Sequence, residues 1–282
     1  MKAPPPYPGP LYAALLTVSG VVLTAAVDDA TRPLVGTVAL GLAPVIGLGA
    51  VGALAATRVP RPHGARLGLR GIRARQLLPL ALLLPVTLLA SELDNAALAA
   101  FPPPDAAKVA QQVLEKLPTQ ESLDLVESLL VGVGLAPLVE EWFFRGVIQQ
   151  GLVGRLGARG GVALTALLFG LAHGSPELSL GSWTAAVAPT FALGLVFGIA
   201  RHRTGSLLAA VFVHAGANLA ALLALAYASQ VPIPGYNAPA AHTPLALIAP
   251  AAISVALGLA LLAREPVPRI PELPVPGDPE DD

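Results

Sequence analysis

Eight apolar runs lie near residues 10–27, 33–56, 76–98, 123–150, 158–176, 184–200, 205–228 and 244–263. About 20 apolar residues suffice to cross a bilayer as a helix, so a chain with eight such runs has few folds open to it. In hydrocarbon every backbone N–H and C=O must find a partner within the protein, which leaves helices or closed barrels. The runs are continuous rather than alternating, and this predicts helices. The expected fold class is therefore all-α, a polytopic membrane protein of about eight transmembrane helices around a polar intramembrane cavity. Charged residues make up only 12% of the chain, against about 25% in soluble domains. The third run is the least regular, because Glu92, Asp94 and Asn95 occupy its distal end, and its apolar part ends near Ala90.

Arginine sets the expected orientation. Arg58, Arg61, Arg66, Arg70, Arg73 and Arg75 stand between the second and third runs. Arg155 with Arg159, Arg201 with Arg203, and Arg264 with Arg269 fall in alternate later connections, whereas the other side has only Arg32, Lys108 and Lys116. The positive-inside rule places both termini and the arginine-rich loop in the cytoplasm. Topology accounts for that loop without a lipid or nucleic-acid ligand, and a net charge of −1 argues against a nucleic-acid partner. Cysteine is absent, so disulfides and thiolate chemistry are excluded. Lys2 is a weak positive start and Pro4, Pro5 and Pro6 stand ahead of the first run, so it reads as a retained span rather than a cleaved signal.

The expected organisation has three parts. Residues 1–75 hold two N-terminal helices and the arginine-rich loop, and 76–265 form a six-helix core. Residues 266–282 are an acidic, proline-rich tail expected to be disordered. Within the core, Ala106, Val109, Val113 and Leu117 recur at helical spacing between Asp105 and Ser122, which predicts a helix lying along the membrane surface. Arg far outnumbers Lys beside abundant Ala, Leu, Gly and Pro. That composition suggests a high-GC bacterial genome and a place in the bacterial inner (cytoplasmic) membrane.

Against this apolar background the fourth run carries Glu140, Glu141 and Arg145. Each such group at mid-bilayer costs roughly 2.5–3.5 kcal/mol on insertion scales, so the three represent about 8–10 kcal/mol that an anchor has no reason to carry. Successive residues point about 100° apart around a helix, so the two glutamates face different neighbours. Glu141 stands four residues before Arg145, the spacing of a helical ion pair. Pro137 has no N–H to donate and should free the carbonyl of Val133, kinking the helix before the glutamates. Phe169 and His173 share a face at the end of the fifth run, where Gly170 and Gly174 would let another helix come close. His214 and Asn218 make a third i, i+4 pair in the seventh run.

Each group has a plainer explanation alone. A single histidine can be a satisfied core residue, Asn218 can be interhelical glue, and Glu141 with Arg145 can be a structural pair. Carboxylates and histidines on three separate spans point instead to one shared polar site. His63, His202 and His242 fall in loops or near span ends and read as solvated.

Glu-Glu-x-x-x-Arg at 140–145, Phe-x-x-x-His at 169–173 and His-x-x-x-Asn at 214–218 together resemble the motifs of the CAAX protease and bacteriocin-processing (CPBP) family, which includes the eukaryotic CAAX prenyl endopeptidase. Arg-Thr-Gly-Ser at 203–206 is also typical, and the resemblance covers about residues 120–225. It implies an intramembrane endopeptidase in which Glu140 and His173 activate a water, His214 and Asn218 stabilise the oxyanion, and Glu141 and Arg145 orient the site. It further implies a membrane-associated protein or peptide substrate. Peptide maturation, bacteriocin immunity and removal of a C-terminal sorting segment are the roles that bacterial relatives suggest. No cofactor is expected. Zinc is the alternative, since two histidines and a glutamate can ligate it, although the spacing is not His-Glu-x-x-His. Outside proteolysis, the same groups could serve a proton-coupled transporter or stand in a silent membrane scaffold.

Overall fold

Helices account for every regular element among the described residues of the computed structural model, which are 5–35, 39–102, 104, 122–175 and 178–268. In chain order they are α1 (Pro10–Val35), α2 (Ala39–Ala56), α3 (His63–Leu67), α4 (Ala74–Ala81), α5 (Val86–Ala100), α6 (Ser122–Ser128), α7 (Ala136–Glu141), α8 (Gln149–Leu171), α9 (Leu180–Thr204), α10 (Leu207–Ala226) and α11 (Leu245–Arg264). Two π-helical segments, Leu129–Leu135 and Trp142–Ile148, flank α7. Six stretches among the described residues are long and apolar enough to cross a membrane, and Leu42–Ala56 adds a shorter apolar one. The chain is an all-α polytopic membrane protein. The expected surface helix at Asp105–Ser122 falls, but for Ser122 at the start of α6, outside the described residues, as does the tail from residue 269.

The stretch Leu125–Leu171 contains 47 residues, too long for one crossing. It is broken at Gly157, whose φ of 72° and ψ of 173° are non-helical. That backbone suits glycine because no Cβ has to be accommodated. A Cβ placed on Gly161 would stand 2.4 Å from the backbone N of Val153. In a continuous helix residues eight apart are about 12 Å apart along the axis, so the two arms fold back on each other. The fourth and fifth sequence runs are these arms, with Arg155 and Arg159 flanking the break.

The third run continues as a helix through its polar end. Its helix does not end near Ala90: after a turn between α4 and α5, α5 continues to Ala100. Glu92 and Asn95 there find partners in the loop before α11. Glu92 accepts from the backbone N of Thr243 at 2.9 Å and from Asn95 Nδ2 at 3.1 Å, and its Oε1 lies 2.6 Å from His242 Nδ1. Asn95 Nδ2 also donates to the carbonyl of Gly235 at 2.8 Å. With partners at each polar atom, the acid carries little penalty at the end of a span. His242 is exposed as expected, as is His63, whereas His202 is half-buried.

Close backbone approach brings α1 and α2 onto the fourth run. A Cβ on Gly47 of α2 would meet the backbone of Thr24 in α1 at 2.5 Å, and one on Gly52 would meet the Trp142 and Phe143 rings within 3.3 Å. Small residues at these crossings are what membrane helices use to pack. The expected contact at Gly170 and Gly174 is likewise present: their absent Cβ positions lie 3.0 Å from the carbonyl of Val187 and 2.6 Å from Trp183 Nε1, both of α9. On the arginine-rich side, Arg201 is buried and donates from Nη2 to the carbonyl of Arg66 at 2.8 Å, tying α9 to α3.

The alternation of arginines gives a direct expectation for topology. Reporter fusions at residue 65 should report a cytoplasmic position, and fusions at 110 and 235 an external one. A cytoplasmic signal at 110 or 235 would overturn the orientation.

Candidate active site

The site is built on an irregular helix. Leu129–Leu135 is π-helical and hands over to α7, with Pro137 in the first turn. A π segment pairs each N–H with the carbonyl five residues back and rotates everything beyond it, and such bulges are frequent at functional sites. The second, Trp142–Ile148, begins directly after Glu141. The kink expected at Pro137 is thus spread over two wide turns, with both glutamates in the short helix between them.

Glu141 and Arg145 form the expected pair, Arg145 Nη1 donating to Glu141 Oε1 at 2.8 Å with both side chains wholly buried. His214 joins them: its Nδ1 lies 2.9 Å from the same oxygen. Arg145 also donates from Nη2 to the carbonyl of Gly194 at 3.1 Å, and its guanidinium lies 4.3 Å from the centre of the Phe169 ring. The His214 ring stacks on Phe197 at 4.6 Å. This cluster is fixed on four sides by α7, the π segment after it, α9 and α10, within an aromatic cage of Phe144, Phe169 and Phe197.

Glu140 and His173 lie elsewhere. Both line a cavity of about 330 Å³, together with Val21, Thr24, Ala25 and Asp28 of α1, Ala43, Pro44 and Leu48 of α2, and Phe144 and Ala172. One oxygen of Glu140, Oε2, is buried without a hydrogen-bond partner. His173 Nδ1 stands 2.8 Å from the carbonyl of Phe169. A carbonyl only accepts, so Nδ1 carries the proton and Nε2 of the neutral ring is left with its lone pair. The pairing of Phe169 with His173, read in sequence as a shared face, therefore also sets the histidine tautomer.

The expected convergence of four groups is only half present. Glu140 and His173 share the cavity, but His214 and Asn218 are not among its described lining residues. His214 is committed through Nδ1 to Glu141, and Asn218 Nδ2 donates to the carbonyl of Gly132 at 2.8 Å. That carbonyl belongs to the first π segment, whose shifted pairing makes acceptors available to neighbours. Asn218 ties α10 to the distorted helix.

Among the described residues no three His, Asp or Glu side chains are grouped closely enough to hold a metal ion. Zinc needs its ligands about 2.0–2.2 Å from one point, and with His214 turned to Glu141 the set Glu140, His173 and His214 does not offer that geometry. Two cavity residues, Thr24 and Asp28, were not singled out in the sequence. Their one signal is Arg32, four residues after Asp28, which pairs with it.

Residues 122–220 match the family model described as type II CAAX prenyl endopeptidase Rce1-like. Over those residues the chain is similar to that family. The matched stretch contains all six site residues read from the sequence, whereas α1 and α2, which supply the other wall of the cavity, lie outside it. No curated protein and no solved structure matches the chain. The likeness to that family supports a protease working on a protein substrate at the bilayer.

Proposed function

We propose that this chain is an intramembrane endopeptidase in which Glu140 and His173 activate one water for attack on a scissile peptide carbonyl. The observation that carries this reading is that Glu140 and His173 line one cavity, with Nε2 of His173 left as an acceptor. A water between them would lose a proton to Glu140 as its oxygen adds to the carbonyl carbon. The same proton would pass to the departing amine as the C–N bond breaks. Glu141, Arg145 and the aromatic cage hold α7 so that Glu140 faces the cavity. His214 and Asn218 are read as oxyanion donors, a role that requires α10 to approach the substrate once bound. His214 can donate from Nε2 only with both nitrogens protonated, since Nδ1 already faces Glu141.

The reaction is written without a metal because the donor set does not converge on one point. The favoured substrate is a membrane-associated protein or peptide that loses a C-terminal sorting segment, and the favoured location is the bacterial cytoplasmic membrane. The test is a comparison of protein C-termini across the membrane proteome in a deletion strain and a Glu140→Ala strain. Both should accumulate the same unprocessed set, restored by the wild-type protein. Normal processing in the Glu140→Ala strain would defeat the proposal.

A further inference from the structure

Gln149 opens α8 one helical turn beyond Arg145 and is almost wholly buried. It is not among the six site residues, yet it repeats a contact that Arg145 makes. Gln149 Nε2 donates to the carbonyl of Gly198 at 2.9 Å, as Arg145 Nη2 donates to the carbonyl of Gly194 at 3.1 Å. Two donors one turn apart on the helix that bears Glu140 thus meet two carbonyls one turn apart on α9. A single bond of this kind leaves two helices free to pivot about it. Two of them, about 6 Å apart along the axis, fix rotation and axial register together. The same two turns of α9 carry the other arm of α8. A Cβ on Gly194 would stand 3.1 Å from the Phe169 ring and 3.2 Å from Cα of Ala166, and one on Gly198 would stand 3.0 Å from Val162 Cγ1. Val162, Ala166 and Phe169 belong to the arm that leads to His173. The arm of Glu140 is therefore bonded, and the arm of His173 packed, on one stretch of α9.

Packing alone does not account for an amide at this position. Gln149 Oε1 is buried without a hydrogen-bond partner, a cost that an apolar side chain of the same length avoids. Gly198 lies inside α9, where its carbonyl has a helical N–H partner with or without Gln149. The amide therefore supplies direction rather than stability. We infer that Gln149 is a positioning residue for the proposed reaction: with Arg145 it locks α9 in register against the helix of Glu140, and α9 in turn sets where His173 stands relative to Glu140. Arg145 alone does not suffice, since its guanidinium is also committed to Glu141 and touches α9 through one carbonyl.

This inference rests on the endopeptidase reading, so the test follows geometry and turnover separately. The chain has no cysteine, which allows spin labels to be placed on Leu138→Cys in α7 and Leu171→Cys at the end of α8, both exposed positions. Full-length protein in nanodiscs is compared with Gln149→Met, which keeps the length and removes the donor, and with Gln149→Leu as a second apolar replacement. Turnover is followed on quenched fluorescent apolar peptides of about 20 residues. Both variants should keep the wild-type thermal midpoint or exceed it. The expected fall in kcat is about 10- to 100-fold with KM within about twofold of wild type, because a misplacement of about 1 Å at the reacting groups costs that much. The distance between the labels should shift or broaden in the same variants. An unchanged distance, or a kcat within about threefold of wild type, overturns the positioning role and leaves the protease reading intact. Loss of folded protein in both variants overturns it too, by making Gln149 a stabilising residue. If the wild type cleaves no peptide while the distance changes in the variants, the protease reading falls and the register lock stands. No cleavage with no change in distance removes both.

Discussion

Glu140→Gln protein should fold, insert and hold its thermal midpoint, yet cleave about 100- to 10,000-fold more slowly than wild type, the range general acid–base catalysis contributes. Stability is preserved because Glu140 Oε2 has no hydrogen-bond partner to lose. The amide has nearly the same volume and removes a charge from a buried setting, so the variant stands to gain slightly. Activity is lost because an amide neither takes the proton from the attacking water nor returns it to the leaving amine. The contrast between unchanged stability and collapsed turnover is the signature, measured by turnover of a cleaved peptide and by thermal unfolding in the same detergent. Turnover within a few-fold of wild type would remove Glu140 as the base and leave His173 alone in the cavity as the candidate.

What was legible in the sequence, and what was not, divides along physical lines. Spans follow from length and hydrophobicity, because the bilayer imposes both, and the turn at Gly157 sits where Arg155 and Arg159 already divided two apolar runs. The i, i+4 pairs were legible because they are properties of one helix: Glu141 with Arg145 and Phe169 with His173 appear as contacts at 2.8 Å. Relations between helices were not. Glu140 and His173 stand on different spans with nothing in the sequence to pair them, yet they share one cavity, since two π segments and the Gly157 break shift rotation and rise in ways no local propensity encodes. The same shifts pair His214 with Glu141 rather than bringing it to Glu140. Asp28 gives no signal of its own in the sequence, because the first apolar run ends at Val27; α1 in fact continues to Val35.

Arg145→Ala should have the opposite profile to Glu140→Gln, with loss of the folded protein itself. Removing the guanidinium leaves Glu141 as a wholly buried carboxylate supported only by His214, frees the carbonyl of Gly194, and takes the cation from the face of Phe169. Breaking one side of a buried ion pair costs about 3–5 kcal/mol, a large share of the stability of most domains. The expected readout is a steep drop in monodisperse yield and in thermal midpoint. The pair is not there for stability alone: Arg145 Nε and Glu141 Oε2 are both buried without partners, and well-packed neutral groups often replace such pairs at no loss. Combining Glu141→Gln with Arg145→Met should therefore recover much of the yield that Arg145→Ala loses, because no unpaired charge remains. The recovered protein should still cleave poorly, since His214 loses its carboxylate and α7 loses the contact that aims Glu140 at the cavity. An Arg145→Ala protein as stable as wild type would show that Glu141 is neutral or solvated in the folded state. A double variant both stable and fully active would reduce the pair to packing and leave Glu140 oriented by the π segments alone.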